Sequence, residues 1–352
     1  MANPNAIFGA ITDIRRDERG GPTVVLEGGG TARFDPEDKG SARYAALLED
    51  LRRRKMPVYI ETDPASGYAR RVYLPKLVKV ESIREAPSGE VSITFERSHA
   101  RHVVKRDADS AELLRALREA GKDRWLAVTV NDRQEILDVR PYDPPFELPR
   151  LEPPPRLVWW QWCWWPWRWF RCCVSRRRAQ ELFDLCAATT CDPLTVPPPC
   201  IPFMFPDDGC WGRAHEMRRL MLNAGTSSKK VWIDGWLHTP TKNNPFCFVN
   251  WGWHVAPTIC VRTWWWFPFF SVRMVIDPSL FTTPVTKATW KSVQGDPNAT
   301  LTDTEGWVFS RWNGYQPDPG YVQTNQVLAD YRSDLQFRSL GPDGPPPYAN
   351  CP

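Results

Sequence analysis

Phe205-Pro206-Asp207-Asp208-Gly209-Cys210-Trp211-Gly212-Arg213-Ala214-His215 is the stretch on which the reading of this chain turns. Asp207, Asp208 and Gly209 are turn and N-cap residue types. Ala214, Met217, Leu220, Met221 and Ala224 follow at helical spacing until Gly225 supplies a stop. The pattern predicts a turn that becomes a helix, with Cys210 in its first turn. Unpaired backbone N–H groups and the positive end of the helix dipole favour a thiolate there, and the thiolate is the reactive form. Cys210 is therefore a candidate nucleophile. On this stretch alone a buried or disulfide-bonded cysteine remains an open reading, because free cysteine is commonly buried.

The partners a thiol needs occur downstream. His254 lies in Asn250-Trp251-Gly252-Trp253-His254-Val255-Ala256 and Asp277 in Arg273-Met274-Val275-Ile276-Asp277-Pro278-Ser279. Both stretches read as strands, rich in aromatic and β-branched residues, with Pro278 closing the second. A helix-borne Cys, a strand-borne His and an acid after the next strand form the nucleophile, base and orienter set of covalent acyl transfer. Only five histidines compete for the base. His99 and His102 fall in a different domain, and His238 in a polar loop. His215 is five residues along the Cys210 helix, about 140° around it, and reads as a structural or surface histidine. Trp211, Trp251 and Trp253 flank nucleophile and base, either lining a substrate cleft or filling the core.

From about Cys191 to Asp334 the chain resembles the bacterial protein-glutaminase family, enzymes that hydrolyse the side-chain amide of glutamine in intact proteins. The resemblance rests on Cys191 and Cys200, on Ile201-Pro202-Phe203-Met204-Phe205-Pro206-Asp207-Asp208-Gly209-Cys210, and on Arg213-Ala214-His215-Glu216-Met217-Arg218. His254-Val255-Ala256, Ile276-Asp277-Pro278-Ser279-Leu280-Phe281, Pro284-Val285-Thr286 and Trp290 extend it in the same order. It implies Cys210 as nucleophile, His254 as general acid/base, Asp277 as orienter and a Cys191–Cys200 disulfide. It also implies a papain-like or transglutaminase-like α+β fold, the nucleophile helix packed on an antiparallel sheet.

Composition is consistent with this reading but does not lead to it. The chain has 352 residues, 42% of them hydrophobic, enough for two domains. Its 45 basic and 41 acidic residues leave a net charge of +4, which does not argue for a nucleic-acid surface. All ten cysteines and eighteen of the nineteen tryptophans lie from position 159 onward. A Pro-rich stretch through Pro144, Pro145, Pro149, Pro153, Pro154 and Pro155 marks the boundary as an extended linker.

The first half repeats internally. Ala10-Ile11-Thr12-Asp13-Ile14-Arg15 matches Lys79-Val80-Glu81-Ser82-Ile83-Arg84, and Val25-Leu26-Glu27 matches Thr94-Phe95-Glu96, both at a shift of 69. The helix at Tyr44 to Leu51 matches the one at Ser110 to Leu117, and two more strands follow each. Two tandem ββαββ units are expected, at 1–75 and 76–145, then a linker and Trp-rich segment at 146–180 and a glutaminase-like domain at 181–352. Gly28-Gly29-Gly30 lacks the Lys and Ser/Thr of a phosphate loop and reads as a hairpin turn.

The first unit also resembles the pro-region of secreted protein-glutaminases, through Thr31-Ala32-Arg33-Phe34, Leu47-Leu48-Glu49-Asp50-Leu51 and Pro57-Val58-Tyr59-Ile60. The resemblance implies a zymogen whose cleft is covered. Arg140, Pro141, Tyr142 and Asp143, nearest the linker, are the expected inhibitory segment, and a cut between 140 and 157 the expected activation step. One unit inhibiting while the other docks substrates, or a spacer clear of the cleft, stay open.

Residues 158–174 hold seven tryptophans within eleven positions and run into Arg176-Arg177-Arg178. Pro166, Arg168 and Arg171 exclude a transmembrane helix. The segment suits a membrane interface, a partner-protein surface or packing against Trp264-Trp265-Trp266-Phe267-Pro268-Phe269-Phe270. Cys163, Cys172 and Cys173 lack the paired CxxC spacing of a zinc site. Ten cysteines suit an oxidising compartment, yet Met1 to Ala10 shows neither the charged start nor the apolar core of a signal peptide; an extracytoplasmic destination is expected.

The implied chemistry is hydrolysis of the γ-carboxamide of protein-bound glutamine through a Cys210 thioester. It takes glutamine-containing proteins or peptides as substrates and needs no metal or other cofactor. A transglutaminase or a cysteine protease would use the same three residues. A non-catalytic binding protein, or a toxin or effector deamidase whose N-terminal units bind partners, is the reading from another class.

Overall fold

The structure, a computed structural model, describes residues 5–16, 21–37, 41–85, 90–104, 110–143, 173–195, 199–263, 271–312 and 314–351. The linker, the Trp-rich segment through Cys172 and the run at 264–270 lie outside the described residues, and so do the readings made of them.

The N-terminal unit comprises β1 (Ala6–Arg16), β2 (Pro22–Leu26), β3 (Thr31–Arg33), α1 (Ser41–Arg54), β4 (Pro57–Thr62) and β5 (Ala69–Tyr73). Its sheet runs β3-β2-β1-β4-β5, every pair antiparallel. β1 is long enough to serve two neighbours: residues 6–10 pair with β4 and residues from Ile11 pair with β2. Alternating Val24 and Leu26, with Val58, Ile60, Leu48 and Leu51, close a core to which Phe337 from the far end of the chain is added.

The next unit comprises β6 (Lys76–Val78), β7 (Val80–Glu85), β8 (Val91–Phe95), β9 (Arg101–Val104), α2 (Ser110–Ala120), β10 (Leu126–Val130) and β11 (Ile136–Pro141). β9 pairs with β8 and β8 with β7, while β6 pairs with β10 and β10 with β11. The order matches that of the first unit, with the long first strand interrupted at Lys79. The expected ββαββ pattern therefore lacks a strand: β3 and β9 precede the helices. Strands of three and four residues are too short for an alternating pattern to reveal.

The remaining part contains α3 (Arg176–Ala187), α4 (Cys210–Asn223), β12 (Lys229–Pro240), β13 (Phe248–Arg262), β14 (Ser271–Val275), β15 (Val285–Thr286), α5 (Lys287–Ser292), β16 (Thr300–Glu305), β17 (Val308–Ser310), β18 (Gln316–Pro317) and α6 (Val322–Leu340). Five antiparallel strands in the order β15-β14-β13-β12-β16 form its sheet. α4 lies on β13, and Ala214, Met217 and Met221 share a core with Trp232, Val255 and Ile259. α3 spans the boundary expected at 180, and Val174 bridges Val261 of β13.

Two glycines let α6 approach α4. Gly209 caps α4 at φ +83°, and a Cβ there would lie 2.3 Å from the Tyr331 ring. A Cβ on Gly212 would meet Val327 at 2.6 Å. Disulfides join Cys173 to Cys260, Cys191 to Cys200 and Cys247 to Cys351, while Cys186 and Cys210 are free. The two long loops, of 87 and 104 residues, each stabilise by about 4.7 kcal/mol if unfolded-chain entropy dominates.

Candidate active site

Cys210 opens α4 directly after the left-handed Gly209, so its backbone N–H has no intrahelical partner and is turned toward His99 Nδ1, 3.5 Å away. Of the three turn and N-cap residue types before it, Gly209 is the N-cap, and no side chain caps the helix. Arg213, one turn on and buried, donates to the carbonyls of Phe205 and Asp208 and so fixes the loop leading into the thiol. His254 sits mid-strand on β13, with one ring nitrogen within 4.8 Å of Cys210 Sγ at the start of α4. Asp277 follows β14 in a turn where Leu280 and Phe281 N–H groups donate to its carbonyl.

His254 Nε2 and Asp277 Oδ2 are 2.9 Å apart. The carboxylate also accepts from Trp290 Nε1 at 2.8 Å and from the Ser279 hydroxyl. Burial disfavours the Asp277 charge, but His254 and the bonds from His254, Ser279 and Trp290 outweigh it and lower its pKa. Asp277 thus accepts the Nε2–H, leaving a lone pair on His254 Nδ1. That atom is buried and has no hydrogen-bond partner. Trp251 stacks on the imidazole at 4.4 Å and Trp290 at 5.4 Å, holding the ring plane.

The thiol is not preactivated in this state, contrary to the sequence expectation. Burial raises the Cys210 pKa well above its ordinary value. Arg213 and the Val255 N–H oppose the shift, while the carboxylates of Asp208 and Asp277 add to it. Desolvation overrides the helix start because the site is roofed by a loop from the second N-terminal unit.

That roof is Arg97 to Ala100, between β8 and β9. His99 O accepts from Gly252 N at 2.9 Å, and Ala100 bridges Trp251 antiparallel, so the loop adds a short strand to the free half of β13. Asp208, fully buried, accepts from Lys76 Nζ at 2.6 Å, Ser98 Oγ at 2.6 Å and His99 N at 3.0 Å. Burial opposes its ionisation, yet Lys76 and His99 leave its pKa well below the ordinary value. Gln134 makes a paired contact with the backbone of Asn250, donating to O at 3.0 Å and accepting from N at 2.6 Å. Arg338 bridges the parts, binding Asp132 at 2.7 Å and Asp207 at 2.7 Å.

His99 reaches the thiol itself. Its Nδ1 lies 3.0 Å from Asp208 Oδ1 and 3.5 Å from Cys210 N. Burial pushes its pKa down to about 3 although Asp208 favours the cation, so the ring is neutral. Nδ1 cannot both accept from the Cys210 N–H at 3.5 Å and donate to Asp208 at 3.0 Å; the shorter contact to a carboxylate, which only accepts, decides, and Nδ1 carries the proton toward Asp208. Nε2 is left with a lone pair, buried and unpartnered. One ring nitrogen of His99, one of His254 and Cys210 Sγ all lie within 4.8 Å of one another. The three tryptophans expected near the cleft surround His99, with ring centroids 6.1 Å (Trp211), 5.2 Å (Trp251) and 5.5 Å (Trp253) away.

The segment expected to inhibit lies elsewhere. Pro141 pairs with Leu126, Arg140 ion-pairs with Asp138 and sits over the Phe8 ring, and Tyr142 N donates to Trp125 O. Arg140 to Asp143 continue β11 within the N-terminal units, and the chain reaches Cys210 by a loop some 40 residues earlier, at His99. His99 escaped the sequence reading because histidines of the first half were set aside by domain. The available signal was the repeat itself: the shift of 69 sets His99 opposite Gly30. His215, read as structural or surface, is buried and accepts from the equally buried Lys230 at 3.1 Å.

A thiol at a helix start, an imidazole on the adjoining strand and a carboxylate holding that imidazole form the constellation by which thiol nucleophiles carry out acyl transfer. Residues 179–294, which carry all three with Ser279 and Trp290, match the family model described as glutaminase, and this stretch is a glutaminase-family domain. No curated protein matches the chain. Among solved structures, a pro-protein-glutaminase aligns at a TM-score of 0.52 and 23% identity, over 78% of this chain and 97% of its own. A mutant pro-protein-glutaminase aligns at 0.51 and 23%, over 73% and 94%. These shares exceed what the second half alone could supply, so the likeness in fold includes the N-terminal part.

Proposed function

We propose that this chain is the zymogen of a protein-glutamine deamidase, its cleft closed by the second N-terminal unit. The observation that carries the reading is the His254 imidazole, its Nε2 fixed on Asp277, its Nδ1 without a partner, and one ring nitrogen within 4.8 Å of Cys210 Sγ. With the cover gone and the site hydrated, His254 takes the thiol proton and the sulfur attacks the γ-carboxamide carbon of a glutamine. The Cys210 N–H, now crowded by His99, donates to the oxyanion. His254 returns the proton to the departing ammonia, leaving a thioester. It then takes a proton from water, whose attack yields glutamate and the free thiol. Asp277 acts through His254, and Ser279 and Trp290 through Asp277.

A polypeptide substrate is supported by how the cover binds. Its backbone pairs with Trp251 and Gly252 while one side chain points at Cys210, the pose a glutamine-bearing segment needs. The three disulfides among the described residues fit an oxidising compartment and support secretion. The two N-terminal units are read as a doubled pro-region.

The test is to cut the chain between 144 and 157 and incubate it with a glutamine-rich protein, following ammonia, cross-links and chain length. Ammonia without cross-links or fragments, rising on cutting and absent in Cys210→Ala, is expected. Cross-links would make it a transglutaminase and fragments a protease. Full activity of the uncut chain would end the zymogen reading.

A further inference from the structure

His99 and His254 each turn one nitrogen to a buried carboxylate and leave the other as an unpartnered lone pair, the two beside one thiol. Buried polar atoms without partners are uncommon in native structures and ask for a reason. Imidazole nitrogen and thiolate sulfur are the donors zinc prefers, and a carboxylate behind each imidazole is the usual outer shell of a zinc-bound histidine. Asp208 stands behind His99 and Asp277 behind His254. Three protein donors with a water in the fourth position make an ordinary zinc coordination number.

We propose that the covered chain binds one zinc ion through His99 Nε2, Cys210 Sγ and His254 Nδ1, joining the cover to the nucleophile and locking the resting state. The nitrogens left without a partner are His99 Nε2 and His254 Nδ1, and one ring nitrogen of each histidine and Cys210 Sγ already lie within 4.8 Å of one another. Zinc–nitrogen distances of about 2.0 Å and zinc–sulfur of about 2.3 Å require them to close by roughly 1 Å, within reach of side-chain rotation. Binding exchanges the thiol proton for the metal: the S–H bond breaks, a Zn–S bond forms and one proton passes to solvent. Nothing is oxidised or reduced. A cavity of about 780 Å³ lined by Lys76, Arg97, Asp208, Trp211 and Tyr331 comes up to residues on either side of Cys210. The site exists only while His99 is docked, so removing the cover takes away one of three ligands. The lock rests on the proposed function for its consequence, but the metal site needs only these three side chains.

The experiment uses the full uncut chain, stripped of metal and titrated with zinc against a chromophoric chelator, and separately with cobalt(II). Expected are one ion per chain, a thiolate-to-cobalt charge-transfer band with tetrahedral d–d bands, and loss of that band in Cys210→Ser. His99→Gln should weaken zinc by more than about 100-fold, since losing an outer-shell partner alone costs about 10–100-fold and here a ligand is lost. Cutting the linker and separating the cover should weaken it similarly, which keeps the test valid if His99→Gln misfolds. No saturable binding, or affinity unchanged in both His99→Gln and the cover-free chain, overturns the proposal. Ammonia release by the metal-free, cover-free sample is read in parallel, so a failed metal site and a failed deamidase are told apart.

Discussion

The two N-terminal units share a strand order and differ in one loop. In the first, Gly28-Gly29-Gly30 turns between β2 and β3 on the surface; in the second, Arg97-Ser98-His99 occupies the same position in the repeat and roofs Cys210. The backbone is alike at the turn: Gly28 has φ 88° and Arg97 φ 65°, both left-handed. Arg97, unlike glycine, bears the strain of that region, about 1 kcal/mol. A hairpin that costs little to form in one copy is held in the other by what its side chains reach. The first unit docks differently, through Phe337 in its core and an Arg54–Asp330 ion pair on α6.

The sharpest way to break this contrast is to give the second unit the first unit's loop. Arg97→Gly, Ser98→Gly and His99→Gly together remove the hydroxyl on Asp208 and the imidazole over the thiol. Alkylation of Cys210 by iodoacetamide in the uncut chain should accelerate on the order of 100-fold, the effect of losing about 3 kcal/mol of local closure. Ammonia release without cutting should accompany it. The reciprocal Gly28→Arg, Gly29→Ser, Gly30→His variant should leave both unchanged. A glycine-loop variant as unreactive as the parent would show that the loop is not the cover.

A smaller effect separates the ionic anchors. Lys76 is the ammonium beside the fully buried Asp208, whereas Arg54 and Asp330 are partly open to water. Removing one member of a buried pair costs about 3–5 kcal/mol, and of an exposed one about 0–1. Lys76→Met should therefore weaken retention of the cut cover on the order of 10²- to 10³-fold, and Arg54→Met less than about fivefold. Size-exclusion of the cut chain across a dilution series measures both. Equal losses would mean that the two units grip the enzyme alike.

Much of the site was legible because its parts are local. A cysteine after Asp-Asp-Gly, a histidine within aromatic strand residues and an aspartate before Pro278 each carry a short-range signature, and the fold sets them in that order. The repeat was legible by its spacing. What joins them was not. The contact of His99 with Cys210 spans 111 residues and that of Lys76 with Asp208 spans 132. No periodicity reports such separations. Proximity to the linker pointed to Arg140 through Asp143, but an antiparallel pairing with Leu126 and Ala127 keeps that strand on its own sheet. The thiol's protonation was misjudged for the same reason: the helix start is local, and the desolvation that overrides it comes from another unit.

The mildest test uses pH on the face where the second unit meets α6. Asp334, half-buried there among Lys76, Tyr73 and Arg338, has its pKa pushed up to about 7 by burial, with Lys76 opposing and Asp330 adding. Without the cover it faces water and returns toward 3.8. The docked pKa is thus the higher one, and docking takes up a proton. Its contribution to docking is complete below the free pKa and is lost as pH rises through about 7. Because the group is only partly buried, solvent screening reduces the effect, and the cut cover should bind about fivefold more weakly at pH 8 than at pH 5. Asp334→Asn should flatten that slope. A slope retained in the asparagine variant would assign the proton to another group at the interface. A slope absent from both would show that water reaches Asp334 as freely beneath the second unit as outside it.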